Sequence, residues 1–209
     1  MKLVIIGAHL HRHDVEPLAE SVAAGELWLS GLGVADDQPL GDRDLLLRVA
    51  KTRAELLDRA TFIAIRYGFS VRDPSEAAAK CAPHLSRWRR LLVDHRGDVE
   101  MTLKIAAASP RPRPDRQNFT SGAEYLRALH ASNAEVSPTF REAVDARIPC
   151  LERRWTARDN ASVEMAALVR RDDVPAVFEA GVALKRDFPE VPFLLSGPWP
   201  LEVFADDHQ

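Results

Sequence analysis

Apolar runs and helical stripes alternate along most of the chain. Leu3 to Ile6 is a continuous aliphatic run closed by Gly7, the pattern of a strand covered on both faces. Residues 15–24 predict a short helix starting near Pro17 and stopped by Gly25. Leu27-Trp28-Leu29 opens a second strand, which Gly31 and Gly33 break. Asp42 is placed to cap a helix running to about Arg59, with Leu46, Val49, Arg53, Leu56 and Ala60 down one side and Arg48, Lys51 and Glu55 turned to water. Phe62 to Gly68 reads as the next strand, apolar on both faces until Arg66.

Asp73-Pro74-Ser75-Glu76 is a helix start with a capping Asp, Pro at the first helical position and a Glu three residues after the cap. Its helix carries Ala78, Cys81, Leu85, Trp88 and Leu92 inward, with a kink predicted at Pro83 because a mid-helix proline costs ~3 kcal/mol. After Gly97, residues Val99 to Ile105 alternate cleanly as a strand with one wet face. Ser109 to Arg116, with a proline at every second position from 110 to 114, suits neither helix nor paired strand and marks the boundary between two domains.

In the second half, Ser121-Gly122-Ala123-Glu124 starts a helix with Tyr125, Leu126, Leu129, Val136 and Phe140 on one stripe, interrupted at Pro138. Arg153 to Asn160 has no period and reads as a surface connection. Ser162 to Val169 alternates as a strand, Asp172 or Asp173 caps a helix with Val177, Gly181, Leu184 and Phe188 inward, and Val191 to Leu195 is the last strand. Pro198 and Pro200 then stiffen the chain around Trp199, which is expected to pack on the protein's own core. Strands separated by helices of this length predict mixed α/β or α+β layers rather than a helical bundle.

Composition narrows the class. The 209 residues are 46% hydrophobic and 28% charged with a net charge of −3, which fits a globular protein of one large or two small domains. No apolar run reaches the ~20 residues of a membrane span, and the apolar start is too short for a signal peptide, so a cytoplasmic protein is expected. Cys81 and Cys150 lack the spacing of a zinc knuckle or disulfide framework and read as ordinary packed or half-packed thiols.

Candidate chemistry is sparse. His9, His11 and His13 would share one side of an extended chain, as a metal site requires. Their neighbours Leu10, Arg12 and Asp14 do not resemble a supporting shell, so a solvated loop without metal is expected. Gly31-Leu32-Gly33 lacks the residues that complete a phosphate loop. Arg87, Arg89, Arg90 and Arg96 lie beside Trp88, but the chain is net negative and lacks a nucleic-acid-binding motif, so no nucleic-acid partner is expected. No G-x-S-x-G or H-E-x-x-H occurs, and Asp206-Asp207-His208 reads as a frayed end. No catalytic residue, cofactor or metal is assigned.

An ordered set of segments resembles the gas-vesicle GvpF/GvpL family. It comprises Phe62 to Ser70 with Tyr67-Gly68, the strand around Glu100, Ser121 to Leu126 with Tyr125, and Gly197-Pro198-Trp199-Pro200 followed by Phe204. Where the family's ending runs Pro-Tyr-Ser-Phe, this chain has Pro200-Leu201-Glu202-Val203-Phe204. The resemblance spans most of residues 1–204. It implies an α+β protein with a mixed α/β N-terminal domain, 1–108, and a ferredoxin-like C-terminal domain with an extended tail, 109–209. It also implies a non-enzymatic minor structural or assembly component of gas vesicles in the cytoplasm, partnered with the major shell protein and other accessory proteins, with no membrane partner. The shell-binding contact is expected in the N-terminal half. A second reading of the same pattern is a ferredoxin-like protein holding a small ligand, or running cofactor-poor chemistry, in a cleft between the halves.

Overall fold

The computed structural model describes residues 1–106, 114–131, 136–157 and 162–205. It is an α+β protein with two sheets and six α-helices among the described residues, and it divides into two compact units, Met1–Val99 with the stretch from Trp199 onward, and Glu100–Pro198. The first crossing therefore falls inside a strand rather than in the proline-rich stretch. The tail, expected with the C-terminal domain, belongs to the N-terminal unit. Of that proline-rich stretch, 109–113 lie outside the described residues, as do 158–160 of the predicted surface connection and Asp206 to His208.

The N-terminal unit is built on a sheet of β1 (Lys2–His9), β2 (Glu20–Ala24), β3 (Leu27–Val34), β4 (Ile63–Ala64) and β5 (Ser70–Val71), in the order β2-β3-β1-β4, with β5 also pairing β1. β1 and β3 are antiparallel, with an irregularity between Ile5 and Gly7. Val4, Ile5 and Ile6 are all buried, as a strand covered on both faces requires. β2 and β3 form a hairpin in which Ala24 pairs with Leu27, so the loop is only Gly25-Glu26. Gly25 has φ +62, which a two-residue hairpin demands and which glycine adopts without strain. Residues 20–24 are thus a strand and not the end of a helix. Gly31 and Gly33 lie within β3 without breaking it; a Cβ on Gly31 would meet Leu3 and Ile5 at 3.3 Å, so the small residue lets β1 come close.

α1 (Arg43–Arg59) begins where Asp42 Oδ1 accepts the Leu45 amide at 2.9 Å. Its buried side is Leu45, Val49, Thr52, Leu56 and Leu57, which leaves Leu46 exposed rather than inward. The strand predicted from Phe62 to Gly68 is only the two residues of β4, with a turn at Tyr67-Gly68 before β5. At Pro83 the chain makes two helices instead of one kinked helix, α2 (Pro74–Cys81) and α3 (Leu85–Asp94). Asp73 caps α2 by accepting the Glu76 amide, while the Glu76 carboxylate takes the Arg72 amide at 2.7 Å.

β6 (Asp98–Ala106) leads into the C-terminal unit. There α4 (Gly122–Ala131) and α5 (Pro138–Arg147), separated where one interrupted helix was predicted, precede β7 (Glu152–Ala157), β8 (Ser162–Arg170), α6 (Val174–Asp187) and β9 (Phe193–Trp199). The sheet order is β7-β8-β6-β9, so two strand–helix–strand passages interleave in a split βαβ arrangement. β7 occupies 153–157 of the residues read as a surface connection. An edge strand that carries Glu152, Arg153 and Arg154 in succession shows no apolar alternation, which hides it from a periodicity search. One face of this sheet, with Met101, Leu103, Ile105, Met165, Ala167 and Val169, packs on Phe140 and Val144 of α5 and on Val177 and Leu184 of α6. No described helix is long and apolar enough to cross a membrane.

Candidate interaction surfaces

The residues singled out in sequence take different places. The Tyr67 hydroxyl donates to the Leu40 carbonyl, and Gly68 turns the chain at φ +97. Glu100 is buried in β6, and Tyr125 meets Phe119 edge-on at 5.9 Å. Gly197 lies flat against β6: a Cβ there would stand 2.6 Å from Met101 Sδ and 3.0 Å from the Glu100 carbonyl oxygen, and its φ of +131 excludes other residues. Pro200 and Phe204 are buried in the N-terminal unit, but Trp199 is 48% exposed. The expectation that Trp199 packs inward is therefore corrected. Leu201 and Phe204 anchor the tail, and the indole of Trp199, at the end of β9, keeps half its surface in water. Apart from Gly197 against Glu100, the set does not converge on one point.

The three histidines also separate. β1 extends through His9, whose ring is buried, stacked on Phe62 at 4.9 Å and hydrogen-bonded through Nε2 to Ser30 Oγ at 2.9 Å. Ser30 Oγ donates in turn to the Gly7 carbonyl at 3.3 Å. Burial pushes the His9 pKa down to about 3, so the ring is neutral near pH 7. His11 and His13 follow outside the strand and stack on each other at 5.1 Å. Only these two match the expected solvated loop. Among the described residues, no group of three or more His, Cys, Asp or Glu side chains could hold a metal ion.

Sequence inspection passed over a polar cluster on β7. Asp145 of α5 accepts Arg153 Nη1 at 2.7 Å and Trp155 Nε1 at 3.3 Å, and the Arg141 guanidinium lies 4.9 Å from the Trp155 ring centre. Arg141 and Trp155 line an open groove of ≈ 380 Å³ together with Val136, Pro138 and Val163. The Arg153–Asp145 pair braces β7 against α5.

Among the described residues, large apolar side chains are exposed on both units. On α1, Leu46 and Leu47, with Ala50 and Ala54 one and two turns on, are exposed on the side away from the core. In the C-terminal unit, Phe178 and Val182 are exposed one turn apart on α6, and Leu194 of β9 is 64% exposed. The strands at sheet edges differ in charge: β2 carries Glu20 and β7 carries Glu152, Arg153 and Arg154, whereas β9, Phe-Leu-Leu-Ser-Gly-Pro-Trp, has none. Charge is a usual guard against edge pairing, and β9 lacks it.

The fold is thus a two-unit α+β arrangement, with apolar side chains exposed on both units. The family model described as "Gas vesicle synthesis protein GvpL/GvpF" matches residues 20–205, and the chain belongs to this family. Its structure is similar to the crystal structure of GvpF from Microcystis aeruginosa, with a TM-score of 0.69 at 14% identity, covering 98% of this chain and 99% of that one. It is also similar to GvpF from Anabaena sp. PCC7120, with a TM-score of 0.67 at 12% identity, covering 100% of this chain and 99% of that one. At such identities the likeness is one of fold. No curated protein sequence matches the chain.

Proposed function

We propose that this protein is a non-enzymatic minor component of gas-vesicle synthesis that binds the major shell protein, in the cytoplasm and alongside other vesicle accessory proteins. The observation that carries the reading is the family match across residues 20–205. The β7-β8-β6-β9 order supports a ferredoxin-like C-terminal unit, and the exposed Leu46, Leu47, Ala50 and Ala54 of α1 support placing shell contact in the N-terminal unit. A shell subunit kept from water exposes apolar surface while it waits to assemble, and an outward apolar helix face is a fitting partner for it.

Co-purification of the full chain with the shell protein, at low salt and at ~0.5 M salt, tests this, because exposed ion pairs are largely screened at the higher concentration. The expected result is capture that persists in salt and is lost in the double variant Leu46→Glu, Leu47→Glu. No capture by the full chain at either salt overturns shell binding; capture that survives in the variant moves the contact off α1. The full chain is needed, since cutting at residue 108 would strip Leu201 and Phe204 from the unit they complete.

A further inference from the structure

We infer that β9 is a homodimerisation edge, pairing antiparallel with β9 of a second copy about a two-fold axis at Leu194. This is independent of shell binding, which concerns the other unit.

Ala106 N donates to the Pro192 carbonyl at 3.0 Å, and Gly197 lies against Met101 at the other end, so β6 and β9 run antiparallel with one offset throughout. In such a ladder successive residues point their N–H and C=O groups alternately toward and away from the neighbour. Residue 192 points toward β6, so residue 194 does too, and Phe193 and Leu195 point their backbone groups outward. Neither outward residue is a proline, and β9 ends the sheet. The edge therefore offers two consecutive outward pairs of donors and acceptors.

The outward groups of β9 are self-complementary. Under a two-fold axis at position 194, Phe193 meets the partner's Leu195 and Leu195 meets the partner's Phe193, which uses all four outward N–H and C=O pairs. Position 194 then faces itself in a non-hydrogen-bonded pair, where side chains approach most closely. The residue there is Leu194, 64% exposed, and its twin would cover it. On the opposite face Phe193 and Leu195 are partly buried against the core, and Gly181 lets α6 come down onto Leu195, where an added Cβ would be 2.5 Å from Cδ2. Phe178 and Val182 stand exposed on that helix. A charged residue at 194 would meet its own like charge; β9 has none anywhere. The surface thus suits a copy of itself, whereas β2 and β7 set charges along their edges.

Sedimentation velocity across a concentration series tests this on the full chain. The wild-type protein is expected to shift from monomer to dimer, and Leu194→Glu and Leu194→Lys should each raise the dimer Kd on the order of a hundredfold, since each removes an apolar contact from both copies. An equimolar mixture of the two variants should dimerise again, because Glu then faces Lys. Leu47→Glu, on the other unit, should leave the dimer unchanged. A wild-type protein that stays monomeric at all concentrations overturns the proposal, as does a dimer indifferent to Leu194→Glu. Failure of the mixture to dimerise overturns the register centred on Leu194.

Discussion

Leu201 pairs with Ile63 as a parallel bridge: the Leu201 amide donates to the Phe62 carbonyl and its carbonyl accepts the Ala64 amide, both at 2.9 Å. The C-terminal tail so extends the N-terminal sheet beyond β4. Leu201 and Phe204 are both buried, and the Arg87 guanidinium reaches the Phe204 carbonyl at 3.4 Å. Leu201→Ala and Phe204→Ala should each cost about 2–5 kcal/mol by transfer and cavity terms. Trp199→Ala, at a half-exposed site, should cost no more than about 1 kcal/mol. Urea unfolding curves check the order, and a Trp199 variant less stable than the Leu201 variant would contradict anchoring through Leu201.

Gly7 is needed for space. A Cβ there would lie 2.4 Å from Phe62 Cδ2 and 2.9 Å from the Ile63 carbonyl, and neither the fully buried ring nor the backbone oxygen can yield. Gly7→Ala should destabilise by about 1–3 kcal/mol, as overpacking does. Gly41, with nothing within 4 Å of an added Cβ, is the neutral control. Equal unfolding midpoints for the two variants would rule out the close approach of Phe62.

Local signals were legible. Asp42 and Asp73 cap the helices they were assigned, β6 and β8 alternate as read, and α6 turns Val177, Gly181 and Leu184 inward. The errors share a physical cause in long-range partners. Pro17 and Gly25 punctuate a hairpin as readily as a helix, and only pairing of residues 20–24 with β3 decides between them. β7 carries charge because it lies at an edge, which erases its period. The prolines around Trp199 stiffen the tail without saying which side chain points inward; that depends on Ile63, far away in sequence. For the interaction surfaces, Phe178 and Val182 one turn apart on α6 were the available signal, but exposure of Leu46, Leu47 and Leu194 could not be read without the packing.

The histidine separation predicts metal behaviour. The His9 ring is sandwiched against Phe62 and bonded to Ser30, so it cannot join His11 and His13 on a common ion without leaving the core. Protein purified without a histidine tag should carry no stoichiometric zinc, nickel or copper, and added Zn²⁺ should leave the melting temperature within error. Stoichiometric metal lost in His9→Phe would require a different arrangement of β1.

His9 also predicts an acid dependence of stability. Its folded pKa, pushed down to about 3 by burial, lies below its ordinary value of 6.5. Between those values the unfolded chain binds a proton that the folded chain does not, so stability rises with pH across this window and falls as pH drops below 6.5. Going from pH 7 to pH 5, this one group should remove roughly 2 kcal/mol, since each pH unit inside the window is worth about 1.4 kcal/mol. Glu16, Asp36, Glu76, Glu124 and Asp187 are also held low by their hydrogen bonds and charges, but they are common to both proteins compared. Comparison with His9→Phe therefore isolates the imidazole: the variant keeps a ring to stack on Phe62, and Ser30 retains its bond to the Gly7 carbonyl. Urea unfolding at pH 7 and pH 5 should show the wild type losing roughly 2 kcal/mol more than His9→Phe. Parallel losses in the two proteins would mean that His9 takes up its proton without leaving the fold, and that the ring is not sealed from water between β1 and Phe62.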